Sequence, residues 1–180
     1  RESSTIARLA VGHGEFGDEA LEALLGFHDD EQEQQESGVG LGKTLRALDL
    51  EWRSLGPRGA AALARAPSHA LTELNLARNK LGDEGVAALA KGLPPNLKLL
   101  SLGENGLGPG AVQALAEAVP LLNKGEGLDY LVLRLNPGLR PRGVGLLASV
   151  PARVLDVEAC GAGHEGATNL AKGLARVKLS

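Results

Sequence analysis

The chain has 180 residues, 43% hydrophobic and only 2% aromatic, with 25 glycines and a net charge of −3. That length suffices for one domain with a continuous core, and a core so poor in rings must be filled by Leu, Val and Ala. The slight negative charge argues against nucleic acid as a partner, and no apolar run is long enough for a membrane span.

In chain order, a first apolar skeleton runs Ile6, Leu9, Val11, Phe16, Gly17, then Leu21 and Leu24. The alternation of Leu9 and Val11 predicts a short strand, and the later leucines a helix. Phe27–Gly42 follows without periodicity: it carries Asp29, Asp30, Glu31, Glu33 and Glu36, then glycines. It is expected to be an acidic loop inserted between a helix and the next strand. Without those five acids the remaining chain is slightly basic. Within and beyond the insertion, Ser37–Thr44 has the Gly-Lys-Thr ending of a phosphate-binding loop. Ser37 replaces its first glycine, however, and a leucine-spaced strand follows where that motif needs a helix, so the segment is read as a loop.

The skeleton returns at Leu45, Leu48, Leu50, Leu55, Gly56 and Leu63. Its clearest copy is the third: Leu71, Leu74, Leu76, Asn79, Leu81, Gly82, followed by Val86, Leu89, Ala90 and Leu93. Here Leu74 and Leu76 alternate as on a strand face, whereas the residues from Gly85 to Leu93 recur at helical spacing. Asp83 and Glu84 favour the helix start, and Gly92 and Pro94 its end. A fourth copy has Leu97, Leu100, Leu102, Asn105, Leu107 and Gly108, then Ala111, Val112 and Leu115. The bulge Pro120–Gly127 separates it from a fifth: Leu128, Leu131, Leu133, Asn136 and Leu139, then Leu146 and Leu147. A worn sixth copy has Leu155, Val157, Cys160, Ala162 and Gly163, then Leu170 and Leu174. Arg176–Leu179 reads as the start of a further strand.

Six units thus begin near residues 6, 45, 71, 97, 128 and 152, at steps of 39, 26, 26, 31 and 24 residues, in one domain spanning 1–180. Each is strand, turn, helix, with one apolar side per element that only a stacked neighbour can bury.

These units resemble leucine-rich repeats of the ribonuclease-inhibitor-like class. The resemblance implies an α/β horseshoe solenoid of about six repeats, with parallel strands on the concave face and helices on the convex face. It also implies that the turn position held by Asn79, Asn105 and Asn136 is Asn or Cys, which Cys160 satisfies. Arg53 and Gly14 depart from it, so the turns of the first two units are expected to be less regular.

Chemistry is sparse. His13, His28, His69 and His164 lie on different units without metal-ligand spacing, and Cys160 has no second cysteine, so no metal, cofactor or catalytic residue is assigned. Cys160 also has no disulfide partner and no Asn-x-Ser/Thr sequon occurs, which predicts an intracellular, cytoplasmic protein. The chain opens on Arg1 and has no methionine, and it is expected to be part of a longer protein.

The informative residues are those that the strand period turns away from the core. Asp49, Glu51, Trp52, Glu73, Asn75, Arg78, Glu104, Tyr130, Arg134, Asp156 and Glu158 are the candidate partner-binding residues. Trp52 and Tyr130 are amphipathic rings of the kind that anchor interfaces. The acids outnumber Arg8, Arg78 and Arg134, which suits a partner with a basic patch. The function expected is therefore a protein-interaction module or scaffold, not an enzyme, and a possible subunit of a larger assembly. Similarity to the repeats of Ran GTPase-activating proteins and of NOD-like receptors implies two alternatives: a regulator of a small GTPase, or a ligand-sensing array.

Overall fold

The structure, a computed structural model, describes residues 6–11, 16–27, 44–66 and 68–177. The acidic segment from 28 to 43, with most of the loop-like Ser37–Thr44 motif, lies outside the described residues, as do Gly12, His13 and Gly14. Among the described residues six strands and six α-helices alternate: β1 (Arg8–Ala10), α1 (Gly17–Leu24), β2 (Ala47–Asp49), α2 (Pro57–Arg65), β3 (Glu73–Asn75), α3 (Gly82–Ala90), β4 (Leu99–Ser101), α4 (Pro109–Ala118), β5 (Leu128–Val132), α5 (Arg140–Leu146), β6 (Ala152–Asp156) and α6 (Gly163–Val177). The strands form one parallel sheet in sequential order.

The register follows the spacing of the leucines. Leu9, Leu48, Leu74, Leu100, Leu131 and Leu155 are Cα partners in turn across the sheet. These residues reproduce the steps read from the sequence. A slip by one residue would turn every leucine to the other face. Leu48, Leu74, Leu100 and Leu131 join one core with the helix residues Leu63, Val86, Leu89, Val112, Leu115 and Val144. One face of the sheet is therefore covered by helices, and the other is left open. At about 25 cal/mol per Å² of apolar area, each buried leucine stabilises by roughly 2–3 kcal/mol.

Hydrogen bonds at the turns tie each unit to the next. Asn136 is fully buried; its Oδ1 accepts from the amides of Asn105 (2.9 Å) and Leu107 (3.0 Å), and its Nδ2 donates to the carbonyls of Leu102 (3.0 Å) and Leu133 (2.7 Å). Asn79 does the same for the preceding pair of units, accepting from Arg53 and Leu55 and donating to Leu50 and Leu76. Asn105 repeats part of the pattern. Cys160 stands in register with them, and its Sγ donates to the Leu133 carbonyl at 3.1 Å. Buried backbone groups must find partners, and here one amide side chain serves two units.

The turn holding Arg53 is like the others only in its backbone: Asn79 of the following unit satisfies its amide, but the Arg53 side chain, buried in the place other units give to Asn, leaves its Nε without a hydrogen-bond partner among the described residues, and Ser54 takes φ of 56°. The third helix runs from Gly82 to Ala90, with Asp83 and Glu84 in its first turn and Gly92 just past its end, as the sequence suggests. A Cβ at Gly92 would run into the Ala64 carbonyl of the preceding unit. Arg176 and Val177 belong to α6, not to a further strand; Lys178 and Leu179, the rest of that expected strand start, lie outside the described residues. The bulge from 120 to 127 is ordered: Asn123 and Lys124 take φ of 51° and 59°, and the Asn123 Nδ2 donates to the carbonyls of Leu97 and Gly127 at 2.6 Å.

Helix starts carry a second link between units. Asp83, in the first turn of α3, accepts from the amides of Gly108 (2.6 Å) and Gly110 (3.0 Å), at the start of α4. Asp18 of α1 likewise accepts from Gly56 at the start of α2 (2.8 Å). Helices α2 and α4 begin Gly-Pro and have no side-chain cap of their own. Each borrows a carboxylate from the unit before it, which satisfies orphan amides and opposes the positive helix end.

Candidate functional site

The open face of the sheet is built from the third and fifth residues of each unit, with the seventh and eighth extending it past the strand ends. The third residues form the row Arg8, Ala47, Glu73, Leu99, Tyr130, Val154, and the fifth form Ala10, Asp49, Asn75, Ser101, Val132, Asp156. All of these but Tyr130 and Val154 border a hollow of about 430 Å³ that reaches from Arg8 on β1 to Asp156 on β6.

All eleven candidate residues fall on this face or at its rim. Asp49, Glu73, Asn75, Arg134 and Asp156 line the hollow, whereas Glu51, Trp52, Arg78, Glu104, Tyr130 and Glu158 do not. Trp52 is 64% exposed and Tyr130 50%.

Several of the candidates have a structural task as well. The Oδ1 of Asp49 accepts from the Glu51 amide at 3.0 Å, that of Asn75 from Ala77 at 3.1 Å, and that of Asp156 from Glu158 at 3.2 Å. Each closes a local turn at its strand end. Asn75 also donates from Nδ2 to Asp49 at 3.1 Å.

The charges are partly paired. Arg8 meets Glu73 at 2.7 Å, and Arg78 lies between Glu104 (2.9 Å) and Glu51 (3.5 Å). The hydrogen bond and charge of Glu104, helped by Glu51, raise the Arg78 pKa above its ordinary value. The Cys160 thiol is also pushed up, mainly by burial, with Asp156 adding and a backbone hydrogen bond at Asn136 opposing.

Two further features mark this face, the first of them silent in the sequence. The eighth residues Trp52, Arg78, Glu104, Leu135 and Ala159 all have φ between 54° and 60°. Four of them donate their amides to the seventh carbonyl of the next unit: Trp52 to Ala77, Arg78 to Gly103, Glu104 to Arg134 and Leu135 to Glu158, at 2.8–3.0 Å. That bond holds each residue in a left-handed conformation that L side chains avoid. Nothing in residues as different as Trp, Arg, Glu and Leu announces it. The second is apolar surface outside the eleven: Leu135 and Val154 are each 46% exposed at the open side of β5 and β6. Leu99 and Val132 border the hollow beside them. Strand alternation already turns these residues outward, and the structure adds how far they are exposed.

Among the described residues, no group of three or more His, Cys, Asp or Glu could hold a metal ion. His69 and His164 are exposed on separate units, and His28 lies outside the described residues. Among the described residues no helix is long and apolar enough to cross a membrane.

A Leucine Rich repeat family model matches residues 68–90, the segment that carries β3, Asn79 and α3. No curated protein matches the chain. The match supports a leucine-rich repeat protein, and domains of that kind are in general protein–protein interaction modules.

Proposed function

We propose that this leucine-rich repeat chain is an interaction module or scaffold that takes a partner protein on the open face of its sheet, the concave side of a horseshoe-shaped solenoid of the ribonuclease-inhibitor-like class. The observation that carries the reading is the uncovered face itself. Six strands present ordered rows of charged, amide and aromatic side chains on a backbone locked from unit to unit. A rigid surface binds with little ordering cost, and its rings supply amphipathic anchors. The acids in excess on this face suit a partner with a basic patch. The role is binding, not catalysis, as a module that can also serve as a subunit of a larger assembly. An intracellular, cytoplasmic setting goes with the free, buried thiol of Cys160.

The test is partner capture by folded variants. Trp52→Ala and Tyr130→Ala together should weaken capture at least ten-fold, whereas Lys172→Ala on α6 should not. Equal capture by all three proteins, with unchanged circular dichroism, refutes the reading.

A further inference from the structure

The open face is not uniform along the direction in which its strands stack. The row of third residues changes character between β3 and β4: Arg8, Ala47 and Glu73 on one side, Leu99, Tyr130 and Val154 on the other. Tyr130 and Val154 leave about half of their surface in water. On the β2–β3 side and its rim stand three carboxylates, Asp49, Glu51 and Glu73, with Arg8 on Glu73 and Arg78 shared between Glu51 and Glu104 of the next unit; Arg134 and Asp156 border the far end of the hollow. Asp49 spends its Oδ1 on the Glu51 amide and the Asn75 amide group, and no cation pairs with it among the described residues. Its charge is therefore open to an incoming cation at the edge of the hollow.

Resting on the reading above, we infer that the face takes a partner segment laid across the strands, with a Lys or Arg over Asp49 and Glu73 and an aliphatic side chain over Tyr130 and Val154. Neighbouring strands lie about 4.8 Å apart, so β2 or β3 and β5 are separated by roughly 10–14 Å, and that is the spacing the two partner side chains must have. Charge complementarity selects the first contact and fixes the direction of the segment. Loss of water from the exposed ring and valine holds the second.

The probe is a set of labelled peptides, Lys-Lys and Leu-Leu joined by one, three or eight prolines. A polyproline helix rises about 3.1 Å per residue, so the three-proline member sets its flanking Lys and Leu four rises, about 12 Å, apart. It should bind at least ten-fold tighter than the other two lengths, and at least ten-fold tighter than a Glu-Glu version of itself. The double variant D49N/E73Q, in which Asn keeps an oxygen for the Glu51 amide, should weaken it at least five-fold. Tyr130→Ser should do the same, and Glu117→Gln on α4 should not. Equal binding of the three lengths, indifference to charge inversion, or no binding of any probe overturns the inference. If the probes fail while partner capture still depends on Trp52 and Tyr130, the segment chemistry is wrong and the interaction face stands; if both fail, neither stands.

Discussion

Replacing Asn136 by Ala removes a side chain that makes four good hydrogen bonds inside the array. Each such bond contributes about 1 kcal/mol net, and a buried group left without a partner costs about 1–3 kcal/mol. The variant strands the amides of Asn105 and Leu107 and takes a donor from two carbonyls, at a position with no exposed surface. A water entering the vacated space would recover part of this. The expected loss is about 3–5 kcal/mol, a large share of the stability of an ordinary domain. Urea unfolding followed by circular dichroism measures it, and amide exchange at Asn105 and Leu107 localises it. Asn136→Cys should lose less than Asn136→Ala, because Cys160 shows that a thiol in this register reaches a carbonyl of the preceding unit. Asn136→Leu, apolar and of similar size, should be as damaging as Ala. If Leu restores wild-type stability, the side chain only fills space and the hydrogen-bond account of the turns is wrong.

Asp83→Ala should cost about 1–2 kcal/mol and raise amide exchange at Gly108 and Gly110, in the next unit; faster exchange confined to α3 would contradict the borrowed cap. Leu135→Gly should be more stable than Leu135→Ala by about 1 kcal/mol, the reverse of the usual order, because only glycine adopts positive φ without strain. Leu76→Asp should abolish cooperative melting by burying an unpaired charge; a melt near the wild-type temperature would show the register to be mistaken. Cys160 should resist iodoacetamide in the native protein at mildly alkaline pH and react once urea unfolds it, because burial raises its pKa. The sign follows: the folded state favours the neutral thiol, so rising pH through the unfolded thiol range should lower stability.

The register was legible because leucines mark both the strand and the turn of every unit, so that a miscounted step would leave several of them in water. The long first step of 39 residues still aligns Leu9 with Leu48, since an insertion between helix and strand does not shift the pairing of the strands it joins. The links at the helix starts and the closures at the strand ends were not legible. Asp83 sits where a helix favours an acid for its own dipole, but the amides that donate to it, those of Gly108 and Gly110, are in another unit. Asp49, Asn75 and Asp156 drew notice as outward polar residues, but their closure of local turns depends on backbone angles that alternation does not encode. Arg53 breaks the Asn pattern in sequence, but which of its groups find partners is not encoded there: Asn79 of the unit that follows takes its amide, and its own Nε has none among the described residues.

The most direct measurement is photo-crosslinking of the chain to a captured partner from single positions on its two sides. A photoreactive residue placed at Trp52, Tyr130 or Leu135 should give the adduct, and one at Glu117 on α4 or Lys172 on α6 should give none. Adducts formed only from the helix positions would contradict the assignment of the open sheet face as the binding surface.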